Sequence, residues 1–425
     1  MKTTIKKWGI NGEGIGYIGK KPVFIENTIP SEVVGFHITK EEKHYCIGKL
    51  EEIFTPSSSR RYPFCPIWQE CGGCPSMHVK YKGQAKMKQT LIKQALKKYA
   101  NYTGKIEPII KNENPLGYRN SCKLPLQKVD GKWIAGMYQR DSHNFVGIKR
   151  CYVHTKILEQ VRQEVIRILN EYEVEGCYSL VMKEFQGRVQ IIIVTGKVEL
   201  PKDLIQEWSA LELVVSIVQN IKEENNHDLF GKQFYPLFGE QIMSLEINGL
   251  NLELLPTSFF QLNTLQAQKM YQWVHNHVES SNTIVEVYCG IGAIGLGVSS
   301  KACKLIGIEY NPEAVENAQR NAQKNGINNA TFIAGDAGTV LEELSIPIDT
   351  LIVDPPRSGL DETMIAAILQ KEPKHIIYVS CNPSTLSKNV SVLQKKYSIE
   401  VVQPFDIFSQ TALVECAVVL RKKNG

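Results

Sequence analysis

The sequence predicts an α/β protein whose C-terminal part is an open, largely parallel sheet, and three observations carry that prediction. From about residue 280 onward, apolar runs of strand length alternate with helical patterns, as in repeated β–α units. The run Ile284-Val285-Glu286-Val287-Tyr288 leads straight into the glycine-rich loop Cys289-Gly290-Ile291-Gly292-Ala293-Ile294-Gly295. Two later apolar runs end in Asp354-Pro355-Pro356-Arg357 and Ser380-Cys381-Asn382-Pro383, at the carboxyl edge where open α/β sheets bind ligands.

Residues 1–56 carry short strands separated by glycines, with Gly12-Glu13-Gly14-Ile15-Gly16 as a turn and Val23-Phe24-Ile25 as a strand. They read as a small β-barrel. No helix follows these glycines, so they are not a phosphate loop. Pro56-Ser57-Ser58-Ser59-Arg60-Arg61 is a linker into a central α/β domain, residues 57–248. There Gly117-Tyr118-Arg119-Asn120 begins a sheet that returns through Ser142-His143 to Cys151, followed by strands such as Val189 to Val194. Residues 249–425 form the third domain.

The central domain holds a cysteine constellation. Cys65, Cys71 and Cys74 give C-x5-C-x2-C, and Cys151 is a fourth thiol. Four thiolates at such spacing suit zinc or an iron–sulfur cluster, and spacing does not choose between them. The chain has eleven cysteines and no recognisable signal peptide, which reads as cytoplasmic, where disulfides seldom persist. Cys46, Cys122, Cys177, Cys303 and Cys416 lack partners at ligand spacing and read as packing residues.

Lys and Arg number 49 against 44 Asp and Glu, so any surface for a polyanion is a local patch. The clearest is Lys80, Lys82, Lys86, Lys88, Lys93, Lys97 and Lys98. Met87, Leu91, Ala95 and Ile92, Leu96, Tyr99 recur through it at helical spacing, which predicts an amphipathic helix with a basic outer face. No apolar run approaches membrane-spanning length.

In the third domain, Gly290 and Gly292 let the loop turn tightly and approach a ligand. The strand Leu305 to Ile308 ends at Glu309, about twenty residues on, where an acid can bind ribose hydroxyls. This pattern fits an NAD-type cofactor and S-adenosylmethionine alike. Asn311 caps a helix with Pro312 at its first position and Gly326 as its stop. The strand Thr331 to Ala334 ends in Gly335-Asp336, an acid suited to an adenine amine, and Thr350 to Val353 ends in a stiff Asp354-Pro355-Pro356 loop. Thr411 to Leu420 predicts an inner strand with Glu415 near its start, either a salt-bridged structural acid or a base of raised pKa. Cys381, leaving its strand in a Cys-Asn-Pro turn, is placed as a nucleophile, against the commoner fate of a buried packing cysteine.

Taken together these segments resemble the RNA uracil-5-methyltransferases. The resemblance rests on Pro256-Thr257-Ser258-Phe259-Phe260-Gln261-Leu262-Asn263, Tyr288-Cys289-Gly290-Ile291-Gly292, the Asp354 and Cys381 tetrapeptides and Val414-Glu415, and it covers essentially the whole chain. It implies a Rossmann-like class I methyltransferase domain behind an N-terminal oligonucleotide-binding, TRAM-type barrel and a central iron–sulfur domain. It implies Cys381 as nucleophile and Glu415 as base. Gln261, Tyr288, Gly290, Gly292, Glu309, Asp336 and Asp354 fall on the S-adenosylmethionine pocket, and Cys65, Cys71, Cys74 and Cys151 on a 4Fe-4S cluster. The cysteine pattern is most like the ribosomal RNA members, so the expected reaction is 5-methyluridine formation in 23S ribosomal RNA by a cytoplasmic monomer. Many members carry histidines before the base, where this chain has Gln410 and Leu413.

The chemistry requires these residue types. Carbon 5 of uracil is too poor a nucleophile to take a methyl group until a thiolate has added at carbon 6, and a base must then remove the carbon 5 proton before the thiolate leaves. The target nucleotide must be unstacked into the pocket, and Phe259 and Phe260 are candidates to stack on it or to line its wall. Other readings are a transfer RNA substrate, an NAD-dependent iron–sulfur oxidoreductase, or an RNA-binding protein without activity.

Overall fold

The computed structural model describes residues 1–140, 142–224 and 226–424, leaving Asp141, Asn225 and Gly425 outside the description. It is a mixed α/β structure with three large sheets. The third sheet runs Ala330–Ala334, Ala302–Glu309, Ser281–Val287, Thr350–Val353, His375–Ser380, Glu415–Lys422, Tyr397–Phe405 in spatial order. The first five strands are parallel and the last two antiparallel to their neighbours. Its strands are rich in Ile and Val because helices cover both faces: Ile284, Leu351, Ile376 and Ile377 are wholly buried. Strand order reverses between Ser281–Val287 and Thr350–Val353, which opens a crevice at their carboxyl ends.

Helices leave that edge under side-chain caps. Asn311 accepts from the Glu313 amide with Pro312 behind it, and Asn382 accepts from the Ser384 amide with Pro383 behind it. Asp336 caps its helix through the Thr339 amide. Cys381 therefore lies between the end of a buried strand at Ser380 and the cap of the helix Pro383–Leu393. The last inner strand begins at Glu415, not Thr411, so Thr411 to Val414 belong to the connection before it.

The central sheet has seven strands, from Gln233–Gly239 at one edge to Phe145–Gly147 at the other. The N-terminal sheet has six, in the order Lys2–Thr4, Val33–Glu41, Cys46–Thr55, Lys21–Ile25, Gly14–Ile18, Lys7–Trp8. The expected barrel is not closed by hydrogen bonds among the described residues, because the edge strands Lys2–Thr4 and Lys7–Trp8 do not pair with each other. They are consecutive segments of chain separated only by Ile5 and Lys6, so one bent stretch serves both edges.

The basic helix spans Tyr81–Ala100, with Lys82, Lys86, Lys93, Lys97 and Lys98 exposed. Lys88 departs from the expectation: it is fully buried and ion-paired with Asp406. The helix is covered on a wider face than a simple stripe. Cys303, expected to pack, is exposed at the start of its strand.

Candidate active site

A cavity of about 830 Å³ opens at the switch point of the third sheet. Its lining brings together Gln261, Tyr288, Gly290, Glu309, Asp336, Asp354, Cys381 and Glu415 from segments far apart in the chain. Gly292 sits one residue behind the lining, at φ +80°, where it caps the helix Ala293–Val298. Tyr288 is held at φ +63°, a left-handed conformation unusual for so bulky a residue, as the chain leaves the strand. Gly290 adopts φ +53°, and a Cβ there would meet nothing within 4 Å, so the backbone borders open space.

Glu309 ties the loop to the next strand. One carboxylate oxygen accepts the Gly290 amide at 3.0 Å and the other the Asn311 amide at 3.0 Å. Asp336 uses one oxygen for the Thr339 amide and hydroxyl, which hold its carboxyl below the usual range. Phe259 and Phe260 separate by role. Phe260 packs edge-on against Phe185 and Tyr271 in the core, whereas Phe259 is 72 % exposed at the cavity mouth.

The reactive end holds three acidic groups and one guanidinium. Burial, then the charge of Glu415, push the Cys381 thiol up to about 11, with Asp354 adding to the effect, while the positive charge of Arg357 opposes it. Glu415 is almost wholly buried, and burial together with Asp354 holds its carboxyl well above the ordinary value. Burial raises Asp354 to about 7. Protons are thus held tightly here, and a cation entering the cavity would loosen them. Arg357 follows the Asp354-Pro355-Pro356 turn, and the fold brings its charge to the thiol.

Sequence reasoning also passed over Glu286. It is buried in the strand Ser281–Val287, where its carboxylate accepts the Gly295 amide at 2.9 Å, and burial pushes its pKa up to about 8. A Cβ on Gly295 would lie 2.4 Å from that carboxylate, so this glycine is set by packing against the acid. The signal was available: a lone acid inside an apolar run, the argument applied to Glu415.

A second cavity, about 860 Å³, adjoins the first. Cys381 and Arg357 line both. Its other walls include Lys7, Trp8 and Phe24 of the N-terminal sheet with Asn11 in a turn beside it, Leu91 to Tyr99 of the basic helix, the start of the helix after Cys381, and Ala412, Leu413 and Val414. Gln410 is taken up by hydrogen bonds within the fold. It is buried at φ +69°, its side-chain oxygen accepting from Arg61 and Gln84 and its amide nitrogen donating to the Pro115 carbonyl.

A model of the family described as tRNA (uracil-5-)-methyltransferase matches residues 238–423. Over nearly its whole length the chain is also similar to proteins named uncharacterized RNA methyltransferase. One from Bacillus cereus is 35 % identical over 99 % of this chain and 96 % of its own. Another from Listeria innocua is 34 % identical over 100 % and 98 %. The chain belongs to the RNA uracil-5-methyltransferase family. It is an S-adenosylmethionine-dependent RNA methyltransferase of the uracil-5 type. The fold of this methyltransferase is that of the Pyrococcus abyssi tRNA (uracil-54, C5)-methyltransferase, solved with S-adenosyl-L-homocysteine: TM-score 0.79 at 22 % identity, covering 99 % of this chain and 100 % of that one.

The four cysteines of this methyltransferase do not form a coordination shell. Among the described residues no three Cys, His, Asp or Glu side chains are grouped so as to hold a metal. Burial holds the Cys65, Cys71 and Cys74 thiols above their ordinary value. They are nonetheless neighbours, since Cys151 acts electrostatically on each of the other three. At Cys151 itself burial is outweighed by a hydrogen bond from His154, which Glu159 backs at 3.1 Å, so this thiol falls below its ordinary value.

Proposed function

We propose that this methyltransferase makes 5-methyluridine at a specific uridine of 23S ribosomal RNA, with Cys381 as nucleophile and Glu415 as base. The observation that carries the reading is the meeting of two cavities at Cys381 and Arg357, one bordered by the glycine loop and one by basic and aromatic side chains. S-adenosylmethionine supplies a methyl group on a sulfonium in the first cavity, where Gln261, Tyr288, Gly290, Gly292, Glu309, Asp336 and Asp354 hold it. The uridine enters from the second.

Arg357 favours the thiolate of Cys381 at the moment of attack. The sulfur bonds to carbon 6, the ring π electrons move onto carbon 5 and oxygen 4, and carbon 5 takes the methyl group as the sulfonium–methyl bond breaks and its electron pair leaves with S-adenosylhomocysteine. Glu415 then removes the carbon 5 proton, the double bond re-forms and the carbon–sulfur bond breaks, returning the thiolate. The raised proton affinity of Glu415 suits removal of a proton from carbon.

The four cysteines fit a 4Fe-4S cluster by donor type: all four are free thiols, half-buried and electrostatically coupled. Cys65, Cys71, Cys74 and Cys151 would hold it, in a structural or RNA-orienting role away from the chemistry. The N-terminal sheet acts as an oligonucleotide-binding barrel of the TRAM type. The single bent stretch at both its edges supports that reading, as do Lys7 in the cleft and Lys97 and Lys98 opposite. The enzyme works as a cytoplasmic monomer; among the described residues no helix is long and apolar enough to cross a membrane.

A transfer RNA substrate is the second reading, favoured by the names of the matching family and of the Pyrococcus abyssi enzyme. Incubation of purified enzyme with unmodified ribosomal and transfer RNA, followed by mass-spectrometric mapping, decides between them. New 5-methyluridine in 23S ribosomal RNA alone, lost with Cys381→Ala, is the expected result. The mark in transfer RNA alone would replace the ribosomal assignment, and an active Cys381→Ala enzyme would remove the nucleophile.

A further inference from the structure

We propose that Lys88 and Asp406 are positioning residues for proton abstraction, holding the segment that carries the chain into Glu415; this rests on Glu415 being the base. Residues 406–414 join the strand Tyr397–Phe405 to the strand Glu415–Lys422, and Phe405 pairs with Glu415 across the ladder. Asp406, Ile407, Ser409 and Gln410 are wholly buried although the connection is irregular. A buried irregular segment must find partners for its polar groups. Here they come from outside the sheet that contains Glu415.

Lys88, from the basic helix, pairs with Asp406 and also donates to the Phe408 carbonyl at 2.8 Å. Tyr81 donates its hydroxyl to Asp406 at 2.7 Å while accepting the Asn112 amide at 2.7 Å. The Ser409 hydroxyl donates to the same Asp406 oxygen at 2.7 Å, and Tyr118 donates to the Ser409 carbonyl at 2.9 Å. An ion pair with no solvent exposure is a poor source of stability, because desolvation of both charges offsets their attraction. What this pair does is fix a place. Phe408 lines the first cavity beside Cys381 and Glu415, and Ala412, Leu413 and Val414 line the second. Cys381 follows the strand His375–Ser380 and the glycine loop the strand Ser281–Val287, so loosening 406–414 falls more heavily on Glu415, which that segment leads into, than on thiol addition and methyl transfer.

The two halves of the reaction can be read apart. RNA containing 5-fluorouridine needs only thiol addition and methyl transfer to become trapped, since fluorine replaces the proton that the base removes. Ordinary uridine RNA needs the base for release. In the double variant Lys88→Met with Asp406→Leu neither charge is left unpaired. It should trap fluorinated RNA within about twofold of the wild-type rate, yet turn over uridine RNA roughly tenfold to a hundredfold more slowly. Covalent RNA–protein complex should accumulate, as with Glu415→Gln. Should the double variant not fold, Tyr81→Phe, which keeps both charges and removes the bridge to Asn112, must show the same split more weakly. Wild-type turnover, or equal loss of trapping and turnover, would overturn the inference. Normal turnover by Glu415→Gln would instead overturn the assignment of the base itself.

Discussion

Replacing Glu286 by Gln tests the electrostatics of the glycine loop. The carboxyl is buried in a strand and accepts a hydrogen bond from the Gly295 amide, which a glutamine carbonyl can accept equally well. Its ordinary value is 4.5 and burial raises it to about 8 in the folded chain. The folded state therefore binds this proton more tightly than the unfolded one. The associated stability is complete below pH 4.5 and is lost as pH rises through about 8. At about 1.4 kcal/mol per pH unit, that interval is worth at most about 5 kcal/mol, an upper bound because buried sites relax. Glutamine cannot ionise, so the variant escapes the loss. Thermal melts of both proteins at pH 5.5 and 9 should show the variant gaining on the wild type by several degrees at the higher pH, with about 7–14 °C as the ceiling for a domain of this size, because the first unit of the interval is already lost at pH 5.5. Taking the difference between the two proteins removes the titration of groups that do not interact with Glu286. A melting difference unchanged within a degree between the two pH values would refute the claim that burial governs this acid.

Two further outcomes test the site and the cysteines. Wild-type trapping of 5-fluorouridine RNA should accelerate about tenfold per pH unit between pH 7 and 9, as expected for a thiol near 11; Arg357→Met should be slower throughout, with its rise displaced to higher pH, whereas an unshifted profile would mean that Arg357 does not act on the thiol. Anaerobically purified protein should be brown with about four irons per chain, and Cys71→Ser should lose the colour and bind RNA less well while still binding S-adenosylmethionine. Stoichiometric zinc without labile sulfide would overturn the iron–sulfur assignment.

Local rules sufficed wherever a neighbour in sequence sets the conformation. The strand leading into the glycine loop, the Asn311-Pro312 and Asn382-Pro383 helix starts and the stop at Gly326 were legible, because caps, prolines and left-handed glycines act within a few residues. The apolar runs ending in Asp354 and Cys381 were legible as strands, and strand ends lie on one edge of a parallel sheet. Lys88 was misread because helical spacing marks one face as basic but cannot know that Asp406, over three hundred residues away, waits opposite it. The contact of Arg357 with Cys381, the burial that raises Glu286 and Glu415, and the hub at Gln410 were settled only by tertiary packing. Desolvation and long-range pairing depend on what surrounds a side chain in space, and a linear pattern records only what precedes and follows it.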